Sequence, residues 1–418
     1  MGSGSERILT TRLSGDRRIE IFAIEEETMR KAVLAFFCFA MLHVAGGPAN
    51  AQETVKVGLV MTYTGQFTDA AGQMDHGIAL YMKQHGDIVA GKRIELLRKD
   101  TAGVPDTAKR LAQELIVNDR VDVLGGFVLT PEALAVADLS TQAKKFTVVM
   151  NAATSIITTK SPYITRSSLT LPQNCEVLGA WAFRNGARRA FTLVSDYAPG
   201  HDAESAFQRA YTGAGGEIIG SVRVPLANPD FSAFVQRAKD SGADTIFVFI
   251  PGGSQPVALA KALVERGMDP GKIRIIGQGE LSEESALKAM GDAAIGIVTA
   301  FHYDYTHDSA LNKQFVAAYK SEFGRNPDFF SVGGYDGMHL IYEALKKTGG
   351  KADGDSLIGA VKGMSWESPR GPVSIDPQTR DIINTVYIRR VEKVNGEVRN
   401  VEIAKFENVK DPVKERMK

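Results

Sequence analysis

The 418-residue chain holds few groupings of side chains suited to covalent or metal chemistry, and the densest is FHYDYTHD, with His302, Asp304, His307 and Asp308. A paired-histidine metal site wants i, i+4 spacing on one helix, and a zinc site wants a Cys/His cluster. The motif has neither and reads as a polar crossover loop. No GxSxG elbow, HExxH or GxxxxGK[ST] occurs, so hydrolase, zincin and phosphate-loop chemistries have no local signature. GAGG at 213–216 lacks the third glycine of a dinucleotide-binding fingerprint and precedes a strand, so it reads as a turn. Ser, His and Asp are all present, but no activated nucleophile can be named from them.

What remains are residues that bind. Thr130 stands directly before Pro131 at the opening of a helix. There its hydroxyl and the nearby N–H groups lie at a positive helix end, suited to a carboxylate and equally suited to N-capping. Asp196-Tyr197 and His201-Asp202 flank Gly200 at another helix opening; Tyr197 and His201 read as groups closing over a solute, or as a solvated first turn. Tyr63, Phe67, Phe127, Tyr197, Phe301 and Tyr303 each stand at or just past the end of an expected strand. Aromatic faces there can enclose an apolar ligand and exclude water. Asp336 in GGYDG reads as the cap of the helix that follows it.

The elements that carry these residues follow from hydrophobic period. In KVGLVMTYTGQFTDAAGQMDH (56–76), Val57, Leu59 and Met61 alternate, and Ile78, Tyr81 and Met82 then recur at helical spacing. The change from 2 to 3.6 marks a strand-to-helix crossover, whose turn is where open parallel sheets bind small ligands. The first half predicts strands at 55–61, 93–98, 121–125 and 147–150 and helices at 73–85, 107–118 and 131–143. The second predicts strands at 190–194, 217–224, 245–250 and 273–276 and helices at 201–210, 231–239 and 255–266. Ala108, Leu111, Ala112, Leu115 and Ile116 form one stripe, as a helix covering a sheet requires. The fold class is therefore α/β, two doubly wound parallel-sheet lobes. Long helices at 309–323 and 335–346 then cover sheets already built, and strand-like 371–401 forms a hairpin on one lobe's edge. Three crossings, near Pro172, Phe301 and Gly371, make a three-strand hinge. Lobe 1 is expected at 52–172 plus 302–370 and lobe 2 at 173–301 plus 371–418.

Upstream, Arg30 and Lys31, the apolar run 32–44 and Ala49-Asn50-Ala51 form a signal peptide over 29–51, so the mature chain begins near Gln52. Residues 1–28 read as an upstream extension. The apolar run is too short for a bilayer span. Cys38 lacks a lipobox, and Cys175 alone survives processing, so the exported chain folds without an internal disulfide. After processing 43 basic and 43 acidic residues remain. A neutral chain has no overall field for nucleic acid or an anionic membrane, which leaves a small molecule or a protein as partner.

GLVMTYTGQFTDAAGQ at the first turn, GGFVLTPEALA at the third and NAATS at the fourth resemble the type I periplasmic solute-binding proteins of ABC importers, the leucine/isoleucine/valine-binding group in particular. DYAPGHDA, ANPDFSAFVQRAKDSGADTIFV, IIGQGE and FGRNPDFFSVGGYDGMHLIYEAL extend the likeness over nearly all of 54–401. The resemblance implies a Venus-flytrap receptor, not an enzyme and without cofactor or metal. It would close on a small carboxylate and pass it to an inner-membrane permease, and a monomer is expected. By the same resemblance the ligand carboxylate falls to Thr130, Ala153 and Thr154. Amino-acid receptors of this group place a carboxylate for the ligand ammonium two residues past the glycine of the eighth strand, which here is Gly279, between Gln278 and Glu280. Without that carboxylate a buried ammonium would lack a partner, at a cost of several kcal/mol. An aromatic acid is therefore favoured, and a branched-chain amino acid stays the alternative if a one-residue shift of the loop lets Glu280 reach the ammonium. The expected site is Tyr63, Phe67, Phe127, Thr130, Ala153, Thr154, Tyr197, His201, Gln278, Glu280 and Phe301. A secreted α/β enzyme acting on a small acid, and a ligand-sensing module of a membrane signalling protein, stay open as alternatives.

Overall fold

Val57, Leu59 and Met61 alternate inward along the first strand, and all are fully buried in the computed structural model of the protein, which describes residues 1, 53–270 and 272–417. The expected extension, signal peptide and cleavage point lie outside the described residues. The chain first runs β1 (Thr54–Met61), α1 (Thr68–His85), β2 (Ile88–Val89), β3 (Lys92–Asp100), α2 (Pro105–Val117), β4 (Val123–Gly126), α3 (Thr130–Gln142), β5 (Phe146–Val149), a 3-10 turn (Ser155–Thr159) and β6 (Ile164–Arg166). It continues through α4 (Leu171–Arg184), β7 (Arg189–Ser195), α5 (Ala198–Gly213), β8 (Glu217–Val224), α6 (Ser232–Asp240), β9 (Thr245–Phe249), α7 (Gln255–Glu265), β10 (Arg274–Gln278), a 3-10 turn (Gly279–Ser282), α8 (Glu284–Met290) and β11 (Val298–Phe301). Last come α9 (Ala310–Phe323), α10 (Phe329–Lys347), α11 (Gly354–Val361), β12 (Ser365–Ser368), β13 (Gly371–Ile375), β14 (Ile382–Val394), β15 (Glu397–Val409) and α12 (Pro412–Glu415).

These strands build two sheets, one per lobe. The first has the order β2-β3-β1-β4-β5-β6 and is parallel except for β2. The second has the order β12-β13-β14-β11-β10-β9-β7-β8, with β15 added to β14. Its parallel centre β11-β10-β9-β7-β8 is extended at β11 by the antiparallel β14–β15 hairpin, as the apolar pattern of 371–401 predicts. Parallel strands need covered faces. α2 supplies Ala108, Leu111, Ala112 and Leu115 to one face of the first sheet, and a Cβ on Gly58 of β1 would meet Leu115 at 2.8 Å. On the other side α1 and α10 cross at backbone contact. A Cβ at Gly77 would fall 1.9 Å from the Ser331 carbonyl oxygen and one at Gly334 2.1 Å from that of Met74, so only glycine fits at either crossing point.

α4, α10 and the role of Asp336 differ from the sequence expectation. α4, unforeseen, begins with a T-x-x-Q capping box in which the Gln173 side chain accepts the Thr170 N–H at 2.7 Å. α10 starts at Phe329, six residues before the predicted 335, because the Asp328 carboxylate accepts the N–H groups of Phe330 (2.9 Å) and Ser331 (3.1 Å). Asp336 is consequently inside α10 and caps nothing. It pairs with Arg370 at 2.9 Å and accepts from Trp366 Nε1 and Ser368 Oγ.

The chain passes between the sheets three times, from β6 through α4 to β7, from β11 to α9, and from α11 to β12. Buried arginines brace these passages. Arg370 donates to the carbonyls of Ser167 and Ser168. Arg389 pairs with Asp304 at 3.2 Å and donates to the carbonyls of Tyr303 (2.8 Å) and Gly279 (3.1 Å). A buried guanidinium is tolerated when its N–H groups find acceptors in this way.

Candidate functional site

At the carboxyl ends of β4, β5, β9 and β10 the two sheets face each other across a narrow, nearly closed cavity. The first lobe lines it with Phe67, Val128, Leu129, Thr130, Asn151, Ala152, Ala153 and Phe330, and the second with Tyr197, Pro199, Phe249, Pro251, Gly252 and Glu280; Leu171 at the start of α4 completes it. The lobes touch beside it: the Ser155 N–H donates to Asp202 at 2.8 Å, and Asn326 Nδ2 to Glu284 at 3.3 Å.

The polar end on the first lobe is built by two turns. Phe127 takes a positive φ of 66° and its N–H bonds to the Val60 carbonyl, which swings the chain after β4 so that Val128, Leu129 and Thr130 border the cavity. Thr130 is the first residue of α3. The Thr130 and Thr154 hydroxyls lie 2.9 Å apart, and Arg166 donates to the Thr154 carbonyl at 2.8 Å. The helix start is supported from behind by Glu132, which accepts the Leu129 N–H at 3.1 Å, the Thr62 hydroxyl at 2.9 Å and the Thr101 hydroxyl. Hydroxyls at a positive helix end suit an anion. Asn151 donates to the Val128 carbonyl at 2.8 Å and lines the same wall.

The opposite wall carries a carboxyl. Glu280 sits on the 3-10 turn after β10, where Gln278 caps the turn by accepting the Glu280 N–H at 2.9 Å. One Glu280 oxygen accepts the Gly252 N–H at 2.8 Å. Burial pushes its carboxyl up to about 7, opposed only by that hydrogen bond. Tyr197, stacked on Phe249 with ring centroids 6.2 Å apart, is held protonated by burial and by the neighbouring Glu280. The middle of the cavity is apolar, from Phe67, Leu171, Phe249, Pro251 and Phe330.

Of the residues named from sequence, Phe67, Thr130, Ala153, Tyr197 and Glu280 border the cavity, and Thr154 stands one hydrogen bond behind Thr130. The other five do not border it. Phe127 is fully buried in the core under α2 and α3, because its left-handed backbone turns the ring away from the cleft. Tyr63 lies beside Asp75 and Arg98, and burial first, then Asp75, holds its hydroxyl protonated. His201 bonds to Asp196 at 2.8 Å on the exposed rim, so the solvated-turn reading holds for it. Gln278 caps the turn instead of facing the cavity. Phe301 packs edge-on against Phe329 at 4.6 Å and under Arg389. Its ring also explains the position of the carboxyl: a Cβ on Gly279 would fall 2.0 Å from it, so no side chain fits at 279 and the acid stands at 280. Tyr303 likewise bonds to Asn312 in the interior.

FHYDYTHD disperses to separate partners. Asp304 pairs with Arg389, His307 with Glu402 and Asp308 with Lys313, while buried His302 is kept neutral by desolvation and by Arg370 and Arg389. Among the described residues no three His, Cys, Asp or Glu side chains form a metal-binding group. Also among them, no helix is long and apolar enough to cross a membrane. Phe249, Pro251, Gly252, Asn151, Leu171 and Phe330 were not anticipated. Phe249 ends a predicted strand as the other aromatics do, and PGG at 251–253 is a turn at a strand's carboxyl end, so both carried the signal used elsewhere.

A family model described as a periplasmic binding protein matches residues 54–397. A Leu/Ile/Val-binding protein homolog 6 from Brucella melitensis biotype 1 is 43% identical over 384 residues, covering 91% of this chain and 98% of the relative. A solved ABC-transporter solute-binding protein from Rhodopseudomonas palustris BisB5, in complex with 3,4-dihydroxybenzoic acid, is 58% identical with a TM-score of 0.84 over 86% of this chain and 99% of that one. Another from R. palustris, in complex with 4-hydroxybenzoate, is 42% identical with the same TM-score and coverage.

Proposed function

The chain belongs to the periplasmic binding protein family and is a solute-binding protein of an ABC transporter, and from that premise we propose that its solute is a hydroxylated aromatic acid. The ligand carboxylate rests on Thr130, Ala153 and the Thr130–Thr154 hydroxyl pair, the ring lies among Phe67, Leu171, Phe249 and Phe330, and a ring hydroxyl donates to Glu280. The observation that carries this reading is the polarity of the cavity, with hydroxyls at a helix start on one lobe, a buried carboxyl on the other and apolar walls between. Relatives 58% and 42% identical, solved with hydroxybenzoates, support it. Because the ligand touches both lobes only when they meet, it stabilises closure by the difference in contacts between the two states. The closed form is what an inner-membrane permease receives.

The lobes of this reading are 52–172 with 302–370 and 173–301 with 371–418, working as a monomer in the periplasm after cleavage near Gln52. Binding and release are its whole activity. A thermal-shift series with 4-hydroxybenzoate, 3,4-dihydroxybenzoate, benzoate and leucine tests the proposal. At a hundred times Kd a true ligand adds about 2.7 kcal/mol of stability. The hydroxybenzoates should shift Tm most and be recovered unchanged. A larger shift with leucine would assign Glu280 to an ammonium instead, and consumption of the compound would point to an enzyme.

A further inference from the structure

The loop that presents Ala153 to the cavity is tied to the other lobe one residue later. Ser155 is buried, its N–H donates to Asp202 of α5 at 2.8 Å, and its hydroxyl donates to Asp411, just before α12, at 2.5 Å. Both carboxylates follow strands of the second sheet, whereas Ser155 follows β5 of the first. The remaining side of the loop is fixed within its own lobe: Arg166 of β6 holds the Thr154 carbonyl, and the Thr154 hydroxyl meets that of Thr130. Neither Asp202 nor Asp411 borders the cavity. We infer that Asp202 and Asp411 are positioning residues that latch the Ala153–Thr154–Ser155 loop across the lobe seam, so that ligand affinity depends on two carboxylates that touch no ligand. The inference rests on the cleft being the binding site and does not depend on which acid fills it.

The latch has a charged surround. Asp202 faces Asp411 and Lys414 from the C-terminal segment, Arg166 from β6, and buried Cys175 from α4. Lys414 and Arg166 are themselves paired with Asp381, and Lys414 also donates to Thr158. In the closed form burial and Asp411 raise the Asp202 carboxyl to about 6 against the Ser155 N–H, Arg166 and Lys414. Opening returns it to water and to the ordinary range. Closure therefore takes up a proton below about pH 6, and the latch strengthens as the solution is acidified.

The test is the affinity of full-length processed protein for 3,4-dihydroxybenzoate, measured for wild type, Asp202→Ala and Asp202→Asn from pH 5 to 7.5. Asp202→Ala leaves the Ser155 N–H without its acceptor and should weaken binding roughly tenfold, through faster dissociation. Asp202→Asn keeps an acceptor and has no charge to neutralise, so at pH 7.5 it should bind at least as tightly as wild type does at pH 5. It should also lose the rise in affinity between pH 6.5 and 5, which in wild type reaches at most roughly tenfold. Wild-type affinity in Asp202→Ala, or an unchanged pH profile in Asp202→Asn, overturns the latch. If wild type binds no hydroxybenzoate, the ligand reading fails, and the latch is then read without ligand. A fluorophore pair on Lys109→Cys and Lys261→Cys should show a longer lobe-to-lobe distance in Asp202→Ala than in wild type and in Asp202→Asn. Equal distances in all three overturn it.

Discussion

Thr154 and Phe127 were named from sequence for the same site, and their surroundings now separate them. Thr154→Val removes one of two hydroxyls 2.9 Å apart behind the cavity wall and should weaken binding by about 1–3 kcal/mol while leaving Tm of the free protein nearly unchanged. Titration calorimetry reads this directly, and an unchanged Kd removes the pair from the site. Phe127→Ala should instead cost about 3–5 kcal/mol of stability, because the ring fills the core under α2 and α3. Its relative affinity for aromatic and aliphatic ligands should not change, and a selective loss of aromatic ligands would put the ring back in the cleft. Glu280 is the residue on which specificity turns. An unsubstituted ring leaves Glu280 with the Gly252 N–H as its one donor, whereas a para-hydroxyl gives it a second, so Glu280→Gln should narrow the preference for 4-hydroxybenzoate over benzoate. A ratio equal to that of wild type would exclude the contact.

At the scale of elements, α2 and α3 were legible because each carries one apolar stripe, and β1, β7, β9 and β10 because each is a short apolar run, nearly all of it buried. The site was legible only as far as strand ends mark it. Period says that residue 127 follows a strand, but whether its ring enters the cleft depends on a positive φ that has no signature at a phenylalanine. α10 was misplaced because Asp328 sits in a polar stretch whose capping role shows only in the folded hydrogen bonds. That cap is testable: Asp328→Ala should destabilise the protein by about 1–2 kcal/mol. Several seam carboxyls also set a pH dependence. Burial raises Glu280, Glu284 and Asp328 to about 7, above their unfolded values, so each stabilises the fold below the unfolded range and loses that contribution as pH rises through about 7. His76, His302 and His339 are shifted down and act oppositely, but only below about 6.5. Ligand-saturated protein, held in this closed form, should therefore lose about 2 kcal/mol between pH 6.5 and 8. Glu280→Gln should lose about 1 kcal/mol less. A Tm that rises over this interval would contradict the assignment.

For the whole molecule, two sheets joined by three buttressed passages give a hinge that bends without shearing. Arg370 and Arg389 donate to carbonyls at those passages, which ties the two lobes together at the base of the cleft. The cavity then has a polarity fixed by which lobe supplies which group. Co-crystallisation with 3,4-dihydroxybenzoate tests this most directly. The account predicts closed lobes with the carboxylate on Thr130 and Ala153 and a ring hydroxyl on Glu280. A ring bound in the reverse sense, or density for the acid anywhere but between these two walls, would contradict it.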